Sequence, residues 1–151
     1  MELVTVIRAP CETVFDLSRD VGVHAASMSA SGERAIAGVT AGQMRLGDRV
    51  TWRARHFGLS WDLTSEITTY ARPHLFIDEQ VAGPFAHWHH AHHFDTTRNH
   101  HTTMRDVIDF AAPFGRLGRL ADWVVLTRYM TRLIRIRNEH LTAVAERVGG
   151  G

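Results

Sequence analysis

The sequence predicts an α+β fold: a curved antiparallel sheet of about seven strands wrapped around one long C-terminal helix, with two short helices after the first strand. Three observations predict it. From Leu117 to Val148 the apolar residues Trp123, Leu126, Met130, Leu133, Ile134, Leu141, Val144 and Val148 recur at about 100° per residue, with Arg128, Arg132, Arg135, Glu139 and Glu146 opposite. Such a helix would be roughly 45 Å long, more than a single partner helix in a small domain covers, so a sheet is the fitting cover. About six runs with strand-like alternation follow one another before it, and a first strand with two short helical pieces precedes them.

Glu2 to Ile7 alternates Leu3, Thr5 and Ile7 against Val4 and Val6, and Ala9-Pro10 stops it. Pro10 suits a first helical turn, Glu12 complements the helix dipole, and Val14, Phe15 and Leu17 form the apolar side of a helix to about Arg19. A weaker helical piece spans Val21 to Met28. Strands are expected over Glu33 to Val39, Arg49 to Phe57, Ser60 to Thr69, His74 to Val81, Phe85 to Asp95 and Thr102 to Ala111, with Gly58, Arg72-Pro73, Gly83-Pro84 and Thr97 to Asn99 between them. Strands joined by such short turns form an antiparallel meander. Pro113, Phe114 and Gly115 lead into the long helix, and Gly149 to Gly151 read as a flexible tail after a single domain over 1–148.

Of the 151 residues, 44% are hydrophobic, which suits one core, and the formal charge of +1 gives no case for nucleic acid. One cysteine, Cys11, forms no intrachain disulfide, and no signal peptide or membrane-spanning run is visible. A cytoplasmic protein without integral membrane association is expected. Eleven histidines are unusual, and they concentrate between His87 and His101.

Val6-Ile7-Arg8-Ala9-Pro10 leading into Val14-Phe15, Arg72-Pro73 before Phe76-Ile77-Asp78-Glu79-Gln80, then Gly83-Pro84-Phe85 and Trp88-x-His90-x-His92-x-Phe94, set in this order of elements, resemble the START-like (SRPBCC) superfamily. More narrowly, the chain is similar to the bacterial polyketide cyclase/dehydrase and lipid-transport proteins, from Leu3 to about Glu146. The resemblance implies the helix-grip fold and an apolar cavity between sheet and long helix. It implies no particular reaction, because the superfamily holds lipid carriers, hormone receptors, plant ligand-binding proteins and aromatase/cyclases.

Strand alternation gives an inner set of its own: Trp52, Trp61, Leu63, Ile67, Phe76, Trp88, Phe94, Met104, Ile108 and Phe110. The same parity carries Asp78, Gln80, His90, His92 and Asp106 inward. Met130 and Leu133 face them from the helix, as does Arg137, a cation on the apolar stripe that must snorkel out or find an acceptor. Burying these groups unpartnered costs about 1 to 3 kcal/mol each. Three readings follow: a satisfied network in which Asp106 or Asp78 pairs with Arg137 and orients the histidines, a polar anchor for a mostly apolar ligand, or acid/base catalysis by His90 or His92 with Asp106.

His90 and His92 also share a face on which Asp106 would be a third metal ligand, while His87, His89 and His93 form an outer set. No Cys or HExxH pattern supports either, so no metal and no cofactor are expected beyond incidental binding by the outer set. Cys11 reads as a packing residue, Arg53 and Arg55 as a solvated face, and Tyr129 as the edge of the helix stripe; Gly115-x-x-Gly118 lacks what a phosphate loop needs.

The expected function is therefore binding, or transport, of a hydrophobic small molecule (a lipid, quinone or polyketide-like compound). Alternatives are an aromatase/cyclase or dehydratase using a cavity histidine, and a non-catalytic module whose cavity is filled by its tryptophans. An edge strand or the outer histidines offer a route to a homodimer.

Overall fold

The computed structural model of the chain describes residues 1–111 and 121–149, and the side chains of all of these but 121–123. Its strands are β1 (Glu2–Ile7), β2 (Arg34–Gly38), β3 (Arg49–His56), β4 (Leu59–Ala71), β5 (Leu75–Ala82), β6 (His87–Thr96) and β7 (Thr102–Ala111). They form one sheet in the order β1-β7-β6-β5-β4-β3-β2, with every neighbouring pair antiparallel. The expected meander is β2 to β7, and β1 closes on its far side against β7. Irregular register in β4 at Thr64/Ser65 and Ile67/Thr69, and in β2 at Ala35/Ala37, bends the sheet toward a trough. Gly38 marks the tightest approach: at φ +73°, a Cβ there would meet the backbone of Arg49 and Val50 on β3.

Helices α1 (Cys11–Ser18) and α2 (Val21–Ser27) follow β1, as the sequence indicates. Pro10 stands at the N-cap of α1, and the Asp20 side chain caps α2 by accepting from the Val23 amide at 3.0 Å. Phe15 pins α1 to the sheet. Its ring meets Tyr70, Phe76 and Phe94 edge-on at centroid distances of 5.5, 5.6 and 5.3 Å, each contact adding about 0.5–1.5 kcal/mol to the burial itself.

The long helix α3 is described from Ala121 to Gly149. The expected start at Leu117 and the lead-in from Pro113 lie outside the described residues, as does the side chain of Trp123. Gly149, expected in the tail, is helical, and a Cβ there would stand 3.0 Å from Pro10 and 3.1 Å from Ala9. The helix packs closely on β1, α1 and α2. Its C-terminal half contributes Leu141 and Ala145 to a core with Ile7, Val14, Phe15, Phe94 and Met104. Ile134 joins a second, smaller cluster with Trp88 and Ile108. Among the described residues, no helix is long and apolar enough to cross a membrane.

Candidate functional site

Where α3 stands off β3 to β6, a cavity of about 490 Å³ opens. From the sheet, Trp52, Ala54, Trp61, Leu63, Ile67, Phe76 and Trp88 wall it, and from α3, Leu126, Tyr129, Met130, Leu133 and Ile134. Asp78, His90, His92 and Arg137 bring polar atoms to its edge. The tryptophans thus wall the interior and leave it open. Six residues expected on the inner face sit elsewhere. Phe94 and Met104 are sealed in the α1 core, and Ile108 and Phe110 pack in the second cluster. Asp106 is wholly buried beneath the histidines. Gln80 turns its amide to the adjoining loop, donating to the Phe85 carbonyl at 2.8 Å and accepting from the Phe85 amide at 3.2 Å.

Alternation on β6 puts Trp88, His90, His92 and Phe94 on the inner face, with His90 beside Asp78 of β5 and His92 beside Asp106 of β7. The hydrogen bonds run diagonally. His90 Nε2 is 2.9 Å from Asp106 Oδ1, and His92 Nε2 is 3.0 Å from Asp78 Oδ2. Across the register, His92 Nδ1 lies 2.8 Å from Asp106 Oδ1, although it lacks the alignment of a hydrogen bond. His90 Nδ1 lies 3.8 Å from Asp78 Oδ2, beyond hydrogen-bond distance. The imidazoles overlap at 3.7 Å between centroids.

The helix completes the network. Arg137 does not snorkel outward: it is 5% exposed and donates to Asp106 Oδ1 (3.4 Å), Asn138 Oδ1 (3.2 Å) and the Ser18 carbonyl (3.3 Å). Asn138 donates to Asp106 Oδ2 at 2.7 Å. Trp88 Nε1 donates to Asp78 Oδ1 at 3.3 Å.

Burial opposes the charge on Asp106, and contacts from His90 and His92 overcome it, holding the carboxyl well below its ordinary value. The same opposition, won by the His92 hydrogen bond and the two imidazoles, leaves Asp78 at about 2. Burial, then the neighbouring His92, lowers His90 to about 4. His90 is thus a neutral imidazole at pH 7.

Asp78, His90 and His92 each offer one ligand atom within 4.8 Å of the others, the one such trio among the described residues. The third member is Asp78 and not the expected Asp106, because β5 lies at the cavity while β7 runs beneath it. Outside this trio, His87 faces Asp109 at 3.5 Å on the exposed side.

Other wall residues lie beyond the reach of strand parity. Ser18, Arg19, His24 and Met28 come from the α1–α2 region, Phe57 from the β3–β4 turn, and Pro84 and Phe85 from the β5–β6 turn. Tyr129 OH bonds His56 Nδ1 at 2.6 Å, joining α3 to the end of β3. Cys11 is buried with its sulfur 3.4 Å from the Pro73 carbonyl, and burial raises its thiol. Arg53 pairs with Asp62 at 2.7 Å on the outer face, while Gly115-x-x-Gly118 lies outside the described residues.

Among curated proteins, none matches the chain in sequence. Solved structures resemble it closely in fold. An aromatase/cyclase, Zhui, from Streptomyces sp. R1128 is 17% identical, with a TM-score of 0.74 over 97% of this chain and 93% of its own. A START superfamily protein from Mycobacterium smegmatis is 11% identical, with a TM-score of 0.74 over 98% and 97%. A protein from Thermus thermophilus is 15% identical, with a TM-score of 0.73 over 96% and 98%. These likenesses establish a START-like helix-grip fold. The family described as polyketide cyclase/dehydrase and lipid transport matches residues 1–146, and the chain belongs to that family.

Proposed function

We propose that this protein binds and carries a hydrophobic small molecule, of the lipid, quinone or polyketide class, in the cavity between the sheet and α3. The carrying observation is the cavity itself. Its volume of about 490 Å³ falls in the range of about 300–1,000 Å³ typical of small-molecule sites, and its walls are mainly aromatic and aliphatic. The polar end of the ligand meets Asp78, His90 and His92, grouped on one part of an otherwise apolar lining. Asp106, Arg137 and Asn138 lie behind and hold that patch in place. Native, then denaturing, mass spectrometry of the purified protein tests the reading. One lipophilic adduct per chain, released on unfolding, is expected. Protein that carries none and gains none from a lipid extract overturns it.

One geometry favours a second reading, a cyclase- or dehydratase-type enzyme. His90 is oriented by Asp106 through Nε2 and leaves Nδ1 outside hydrogen-bond distance of Asp78, the placement a carboxylate-oriented base needs. A pKa of about 4 makes it a weak base at neutral pH, which is why binding ranks first. His90→Gln separates the two: a carrier keeps its ligand with modest loss, whereas an enzyme loses turnover while still binding.

A further inference from the structure

We propose that Asp78, His90 and His92 form a site for a divalent transition-metal ion at the polar edge of the cavity. The inference stands on side-chain geometry and does not depend on which molecule fills the apolar part.

The donor set comes first. Asp78 Oδ2 is 3.0 Å from His92 Nε2 and 3.8 Å from His90 Nδ1. Ligand atoms bonded at about 2.0–2.1 Å around a tetrahedral ion stand roughly 3.3 Å apart, between these two separations. Two imidazoles and one carboxylate suit zinc, cobalt(II) or iron(II) better than magnesium or calcium, which favour all-oxygen shells.

The groups behind the donors fit the same arrangement. Each histidine turns its other nitrogen to one oxygen, Asp106 Oδ1, at 2.9 Å from His90 Nε2 and 2.8 Å from His92 Nδ1. For His90, whose Nε2 hydrogen-bonds Asp106, that carboxylate fixes the tautomer and leaves the Nδ1 lone pair on the metal side. Trp88 holds Asp78 Oδ1, which leaves Oδ2 for the ion.

The surroundings of His92 point the same way. Both of its ring nitrogens lie against carboxylate oxygens, at 3.0 and 2.8 Å, and Nδ1 is a buried atom without an aligned partner. An ion between Asp78 and His92 Nε2 also offsets charge, because the network holds two carboxylates, Asp78 and Asp106, and a single guanidinium, Arg137, which pairs with Asp106. The remaining coordination positions face the cavity, where water or a ligand oxygen completes the shell.

The test is titration of chelator-treated full-length protein with cobalt(II), read by calorimetry and by visible ligand-field absorption. Wild type is expected to bind one ion per chain and to melt at a higher temperature with it. The outer-face variant His87→Gln/His89→Gln should bind equally well. His92→Gln and Asp78→Asn, checked for folding by circular dichroism, should weaken binding by more than 100-fold. Asp106→Asn should keep the stoichiometry and lose about 10–100-fold in affinity, as removal of a supporting carboxylate does. Absence of stoichiometric binding by the wild type overturns the proposal. So does binding that survives His92→Gln and Asp78→Asn and disappears in the outer-face variant, which marks an adventitious surface ion only.

Discussion

Asp106 on β7 and Arg137 on α3 form a buried ion pair, 3.4 Å between Oδ1 and Nη1, at the place where the long helix meets the polar edge of the cavity. Asp106 is fully buried and Arg137 is 5% exposed, so neither charge has water to fall back on. Removing one partner of such a pair leaves the other uncompensated, at a cost of about 3–5 kcal/mol. Arg137→Met is therefore expected to lower the unfolding free energy by that amount, read as a fall in the urea midpoint with the slope unchanged. The double variant Asp106→Asn/Arg137→Met should recover part of the loss, because no lone charge remains.

Tyr129 and His56 close one end of the cavity. Their 2.6 Å hydrogen bond ties α3 to the β3–β4 hairpin, and Phe57 packs on the Tyr129 ring at 4.7 Å between centroids. The Phe57 and Leu59 side chains beside it are 68% and 59% exposed, so little else covers this end. Tyr129→Phe keeps the ring contact and removes the bond, worth about 1 kcal/mol. Dissociation of a bound apolar fluorophore, followed by stopped flow, should accelerate severalfold, with stability changed by no more than that bond.

Asp16 on α1 accepts hydrogen bonds from Arg72 at 2.8 and 3.1 Å and from Arg19 at 2.8 Å. The Arg72 bonds are the main cause of its lowered pKa. A carboxyl lowered on folding contributes stability that is present above its unfolded value and is lost as pH falls through the folded one. Asp16→Asn should thus cost about 0.5–1 kcal/mol at pH 7, after screening at a half-exposed partner. The gap to wild type, measured by urea denaturation at each pH, should close as pH falls below the ordinary value of 3.8.

The sheet was legible because its strands alternate cleanly and Gly or Pro separates several of them. The positions that parity placed inward on β3 and β4, and Trp88, His90 and His92 on β6, line the cavity. Parity could not separate cavity from core. Met104 and Asp106 share an inward face with the wall residues, yet α1 and the C-terminal half of α3 press on β7 and leave no space there. Gln80 obeys parity and still faces a turn, because Phe85 offers it both a donor and an acceptor. Arg137 was conspicuous as a cation on an apolar stripe. Asn138 was not, since a polar residue one position along reads as the solvent side, although it is buried and holds Asp106. His56 follows the inward parity of Val50, Trp52 and Ala54, whereas Phe57, expected to end the strand, lies in the turn after β3 and still reaches the cavity.

The most direct test of the account is a titration of the protein with a neutral apolar fluorophore such as N-phenyl-1-naphthylamine, alongside variants that fill the cavity. Ala54→Trp and Leu133→Trp place an indole into the space from opposite walls. Wild type is predicted to bind one probe per chain, with fluorescence transfer from the wall tryptophans, and the folded filled variants are predicted to lose at least tenfold in affinity. Non-saturable binding by wild type, or equal affinity in both filled variants, would contradict a ligand site between the sheet and α3.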